Sequence, residues 1–111
     1  MLLISFGTRP EYIKIRPLLE TFEGEIPYAL LFTGQHTSLL KDVVGTTDVR
    51  QLEIKDGENR LDSIVESIMN TGHVFNNITS VMVQGDTTSA FAVALAAFHR
   101  KLKIIHLEAG L

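Results

Sequence analysis

Cysteine is absent from this chain of 111 residues. Disulfides and thiolate chemistry are therefore excluded, and the absence fits a reducing compartment, so a cytoplasmic location is expected. A large excess of charge of either sign is also missing. The net charge is −3, with no basic patch and no interleaving of aromatic and basic residues, so nucleic acid is not an expected partner. No apolar run approaches membrane-spanning length, and MLLISF is too short, and lacks the cationic start, for a secretory leader. Neither membrane association nor export is expected, and the Asn77-Ile78-Thr79 sequon is read as chance. The 4 histidines show no close ligand spacing, so no metal or cofactor is expected. His73 and His99 fall where helices should end, and an imidazole is mildly favoured there without any function. Repeats, low-complexity tracts and linkers are lacking too.

What remains is a chain with 45% apolar residues, the size of one small domain and able to bury a core. Residues 1–6 read as a strand, and about 9–22 as a helix with Tyr12, Ile15, Leu19 and Phe22 on one stripe. Pro17 lies inside that helix and should kink it or strand one carbonyl. YALLFTG reads as a second strand, and a short helix is expected from about Ser38 to Val44, followed by a turn at Gly45-Thr46-Thr47-Asp48. RQLEI reads as a short edge strand. Asp56-Gly57 is a turn, and the next helix carries Leu61, Ile64, Val65 and Ile68 on one face. SVMVQ and LKIIHL read as strands buried on both faces, and AFAVALAAFHR between them as a helix covered nearly all round. Alternation of this kind predicts an α/β fold, a doubly wound parallel sheet with right-handed crossovers. Ligands in such sheets bind beyond the carboxyl ends of the strands, where Arg9, Gln35, His36, Asp86 and Glu108 all fall.

The first strand runs directly into GTRPEYIKIRPLL. Thr8 with Glu11 is a capping-box pattern, and Pro10 lies in the first turn, where its missing N–H costs nothing. Arg9 and Lys14 are electrostatically out of place at the positive end of a helix dipole. They read either as solvated surface cations or as ligands of a phosphate that also collects the helix amides. VMVQGDTTSA and KIIHLEAG repeat the form, each strand delivering polar residues at its carboxyl end. From its local sequence Asp86 reads better as a helix cap than as a reactive group. His106 and Glu108 share one strand face and read as rim residues in contact with water. His36 could satisfy a loop backbone group.

GTRPE, TGQH (residues 33–36), GDTTS and HLEAG, in that order, resemble the non-hydrolysing UDP-N-acetylglucosamine 2-epimerase family across essentially the whole chain. The resemblance implies inversion of C2 of UDP-N-acetylglucosamine to give UDP-N-acetylmannosamine, by elimination of UDP to a glycal and its re-addition. That route needs a base and an acid at C2 and cations at the departing diphosphate. By resemblance, Asp86 and Glu108 match acidic active-site positions. Arg9 and Lys14 match nucleotide-sugar-binding positions, as do Gln35 and His36 of TGQH. Carboxylates become useful bases when burial or a like-charged neighbour raises their pKa, and adjacent strand tips could couple these two.

Tyr12 and Arg16 replace smaller residues of the family's first helix and leave its motif intact. The chain stops at HLEAGL, where the family motif continues with Arg-Thr. The resemblance thus implies an incomplete N-terminal Rossmann-like domain of a GT-B-type enzyme, spanning residues 1–111. The second, C-terminal domain and most uridine contacts would lie elsewhere, and the fragment is expected to be inactive alone. The strand ending at Leu107 lacks a covering helix, so contact with another chain or self-association, a homodimer included, is expected. Other classes stay open: a hydrolysing epimerase, a GT-B glycosyltransferase, or a non-catalytic nucleotide-sugar-binding module. GTRPE argues against the hydrolysing branch, where an Ala-Asp-type sequence usually follows the Arg. A receiver-like signalling module would need an acidic pair after the first strand, where this chain has Gly7, Thr8 and Arg9.

Overall fold

Apolar alternation along the first strand decides which side of the sheet each helix covers. The computed structural model describes residues 1–34, 40–41, 48–52, 59–85 and 87–107. In chain order the elements are β1 (Leu2–Phe6), α1 (Arg9–Phe22), β2 (Tyr28–Phe32), β3 (Val49–Gln51), α2 (Arg60–Asn70), a 3-10 turn (Gly72–Phe75), β4 (Ser80–Gln84), α3 (Thr88–His99) and β5 (Lys103–Leu107). The strands form one parallel sheet in the order β3-β2-β1-β4-β5. Ile4 and Phe6 of β1 join Leu30 and Phe32 of β2 under Tyr12, Ile15 and Leu19 of α1. Leu3, Leu31, Val81 and Val83 point to the other face, beneath Ile64 and Ile68 of α2 and Val93, Ala96 and Ala97 of α3. Covering both faces with helices is what lets a parallel sheet read as continuous apolar runs. The expected α/β architecture is what the chain adopts.

α1 runs from Arg9 to Phe22 straight through Pro17. The carbonyl that Pro17 cannot serve belongs to Ile13, a residue on the exposed side of the helix. The capping box is complete, with Thr8 accepting from the Glu11 amide and Glu11 reaching back to the Thr8 amide. β3 is the short edge strand expected around RQLEI, and Arg50 on it fixes the sheet margin. Its guanidinium pairs with Asp48 and donates to the Val74 and Asn76 carbonyls, each at 2.8 Å. The expected helix near 38–44 and the turns at 45–48 and 56–57 lie largely or wholly outside the described residues.

Two expectations of burial fail. α3 buries its alanines and Val93, but Phe91 and Phe98 stand 56% and 69% exposed. β5 is an outer strand among those described, with Lys103, Ile104 and His106 exposed. An apolar run shows that a segment prefers to be covered. It does not show which neighbour covers it.

Tyr28 donates a hydrogen bond of 3.0 Å to Glu23 at the end of α1. Burial, then the Glu23 hydrogen bond and charge, push the Tyr28 hydroxyl up from 10.0 to about 12. A raised pKa means the neutral form is favoured by folding. The contribution is complete below the unfolded-state value and is lost as pH climbs through the folded one. Stability is therefore expected to fall between about pH 10 and pH 12. Urea unfolding across that window checks it, and Tyr28→Phe should flatten this part of the profile. A profile identical in the two proteins would assign the loss elsewhere.

Candidate functional site

The strand order reverses between β1 and β4: β1 leads outward to β2 and β3, and β4 to β5. A crevice opens beyond the carboxyl ends of the strands at such a switch point, and ligands of doubly wound sheets bind there. GTRPE follows β1 and GDTTS follows β4, so the two loops flank the switch. TGQH follows β2, and HLEAG begins at the end of β5, where Leu107 pairs with Gln84 of β4.

Beneath these loops lies a polar knot built from motif residues. Thr33, fully buried, and Ser89, 8% exposed, share a hydroxyl–hydroxyl bond of 2.6 Å, and the Thr33 hydroxyl also donates to the Phe6 carbonyl at 3.4 Å. Glu11 is 5% exposed. Its Oε2 accepts from the Gly7 amide and from the Thr8 amide at 3.2 Å, and its Oε1 accepts from the Thr87 hydroxyl at 2.7 Å. Thr87 is also the N-cap of α3, accepting from the Ala90 amide at 3.2 Å. A buried carboxylate is tolerable here because three donors and the positive end of α1 surround it.

The glycines make this contact possible. A Cβ on Gly34 would lie 2.2 Å from the Gly7 carbonyl oxygen and 2.7 Å from the Phe32 ring. One on Gly7 would lie 2.8 Å from the Thr33 hydroxyl and 3.1 Å from that of Ser89. Gly85 has a φ of 73°, a conformation that side chains rarely adopt.

Arg9 opens α1 and Lys14 lies five residues on, both exposed. At about 100° per residue they are roughly 140° apart around the helix, so they do not form one stacked pair. Gln35, His36, Asp86 and Glu108 lie outside the described residues. The residues before the two acids are within them: the Gly85 amide donates to the Leu107 carbonyl at 2.9 Å. His106, exposed as expected, bonds through Nε2 to the Gly85 carbonyl, so that nitrogen carries the proton.

Two local readings change. The cap of α3 is Thr87, so the capping role considered for Asp86 belongs to its neighbour. The amides of the turn leading into α1 are not open to a phosphate, because Glu11 already occupies those of Gly7 and Thr8, and within the first turn the Thr8 hydroxyl accepts from the Glu11 amide. Sequence reasoning passed over Thr33, Thr87 and Ser89, although all three are letters of the motifs it singled out.

A parallel sheet with helices on both faces and a reversal of strand order defines a Rossmann-like α/β fold. The UDP-N-acetylglucosamine 2-epimerase family matches residues 21–111, and the chain belongs to that family of isomerases. It is 37% identical to the UDP-N-acetylglucosamine 2-epimerase of Campylobacter jejuni, over 99% of this chain and 31% of that protein. A Thermotoga maritima protein named as a putative UDP-N-acetylglucosamine 2-epimerase is 38% identical, over 96% of this chain and 30% of its own length. Among solved structures, the Neisseria meningitidis UDP-GlcNAc 2-epimerase bound to UDP-GlcNAc superposes with a TM-score of 0.81 at 35% identity, covering 99% of this chain and 32% of that one. The Methanocaldococcus jannaschii enzyme in complex with UDP-GlcNAc and UDP also gives 0.81, at 30% identity, covering 99% and 33%. The chain thus spans about a third of the length of the relatives it matches.

Proposed function

We propose that residues 1–111 are the N-terminal, nucleotide-sugar-binding portion of an enzyme that inverts C2 of UDP-N-acetylglucosamine. The observation that carries this reading is that described residues of three motifs meet beside the switch point: Glu11 of GTRPE bonds to Thr87 of GDTTS, and Thr33 of TGQH to Ser89 of GDTTS. Arg9 and Lys14 bind the diphosphate, and Gln35 and His36 line the sugar-nucleotide site. Asp86 and Glu108 act as base and acid at C2, in a non-hydrolysing elimination and re-addition of UDP. Cations at the leaving group offset the charge that develops as the C1–O bond breaks. A second Rossmann-like domain, in a GT-B arrangement, closes over the nucleotide and excludes water. The enzyme works in the cytoplasm without a cofactor and pairs as a homodimer.

The testing experiment uses the 111-residue chain. UDP is expected to bind it, and Arg9→Ala to weaken that binding by roughly 1.5–3 kcal/mol, the scale of a charge-assisted contact. NMR of UDP-N-acetylglucosamine incubated with the chain alone is expected to show no UDP-N-acetylmannosamine. Turnover above a buffer control would overturn the assignment to a portion of the enzyme. Undiminished UDP binding by Arg9→Ala would overturn the diphosphate contact.

A further inference from the structure

A hydrogen bond between side chains of the two flanking loops crosses the switch point: the Thr87 hydroxyl to Glu11 Oε1, at 2.7 Å. Each partner is committed to its own loop as well. Glu11 holds the Gly7 and Thr8 amides of the GTRPE turn through its other oxygen. Thr87 holds the Ala90 amide of α3 and follows Asp86 directly. The geometry points to Glu11 and Thr87 as positioning residues, a latch that fixes the turn leading into Arg9 against the start of α3, next in sequence after Asp86, and couples the order of each to the other. This rests on the proposed function for its meaning, because those two segments then carry the diphosphate contact and one of the two C2 carboxylates.

A cap and a latch make different demands on residue 87. A cap needs only an acceptor, which aspartate supplies as well as threonine. The latch needs a donor at residue 87, because Glu11 Oε1 is the acceptor in it. Thr87→Asp therefore keeps the cap, removes the donor and sets a second carboxylate against the first. Glu11→Gln keeps an acceptor for the Gly7 and Thr8 amides and turns a donor toward residue 87. The double variant restores one donor and one acceptor across the gap with reversed polarity.

Amide hydrogen exchange in the 111-residue chain reads the coupling without a ligand. Thr87→Asp is expected to speed exchange at Gly7 and Thr8, on the opposite loop, by about 5–20-fold, well inside the range of coupling between contacting residues. The double variant should return those amides to within about twofold of the parent. UDP titration provides the second reading: affinity should fall by about 5–20-fold in Thr87→Asp and recover in the double variant. Exchange at Gly7 and Thr8 unchanged by Thr87→Asp would overturn the latch, as would failure of the double variant to restore it while the cap at Ala90 stays protected. A parent chain that binds no UDP would count against the proposed function, and the exchange rates would still decide the latch.

Discussion

Asp86→Asn and Glu108→Gln are each expected to slow exchange of the C2 proton of UDP-N-acetylglucosamine with solvent deuterium by roughly 10²–10⁴-fold, the scale of general acid–base catalysis. The background for this measurement is a chimaera in which residues 1–111 replace the matching third of the Campylobacter jejuni relative. UDP affinity should stay within a few fold, because each substitution keeps size and hydrogen-bonding capacity and removes only the basic carboxylate. Thr87 caps α3, so Asp86→Asn has no cap to lose and a rate defect cannot be blamed on an unravelled helix. Deuterium uptake near the unmutated rate in both variants would refute the acid–base assignment.

Gly34→Ala should be the most damaging single-methyl change in the described part of the fold. The new carbon would meet the Gly7 carbonyl oxygen at 2.2 Å, and backbone cannot swing aside as a side-chain tip can. Forcing the β1 and β2 loops apart is expected to cost about 3 kcal/mol, at the upper end of overpacking penalties. That corresponds to a melting temperature lower by roughly 10–20 °C for a domain of this size. Gly24→Ala is the control. Gly24 has a φ of 77°, and among the described residues no heavy atom beyond its chain neighbours lies within 4 Å of where the methyl would sit, so the expected cost is backbone strain, about 1–2 kcal/mol. Thermal unfolding of the two variants side by side checks the ranking. A Gly34→Ala protein melting no lower than Gly24→Ala would show that the loops can part freely.

The sheet was readable from residues because its inner strands are apolar on both faces and its helices carry stripes of the right period. Tyr12, Ile15 and Leu19 fall on the buried side of α1 as their spacing requires. Edges were harder to read. KIIHL has the composition of an inner strand and SVMVQ is one, yet only the second has strands on both sides among the described residues. Neighbours are a property of the whole chain, and local composition does not encode them. In the candidate site, the described motif residues lie at the carboxyl edge of the sheet, and the charged letters of the motifs are the ones that stand out in the sequence. Thr33, Thr87 and Ser89 carry no charge and have ordinary local roles, so nothing in a one-dimensional reading shows that they touch across tens of residues. Glu11 illustrates the same limit. Its capping spacing was plain, but the bond to Thr87 depends on α3 arriving beside α1.

The place of β1 in the sheet has a consequence for how the chain is made. β1 is synthesised first and ends in the middle, with Leu2 paired to Tyr28 on one side and to Ser80 on the other. The first side can zip soon after β2 leaves the ribosome. The second must wait for β4, about fifty residues later, roughly 2.5–10 s at translation rates of about 5–20 residues per second. During that interval LLISF presents an apolar strand with one row of unpaired amides and carbonyls, a template for any other extended chain nearby. Slower translation lengthens the exposure, so the soluble yield of this protein should depend on the speed of the ribosome between β2 and β4 as well as on the stability of the finished fold.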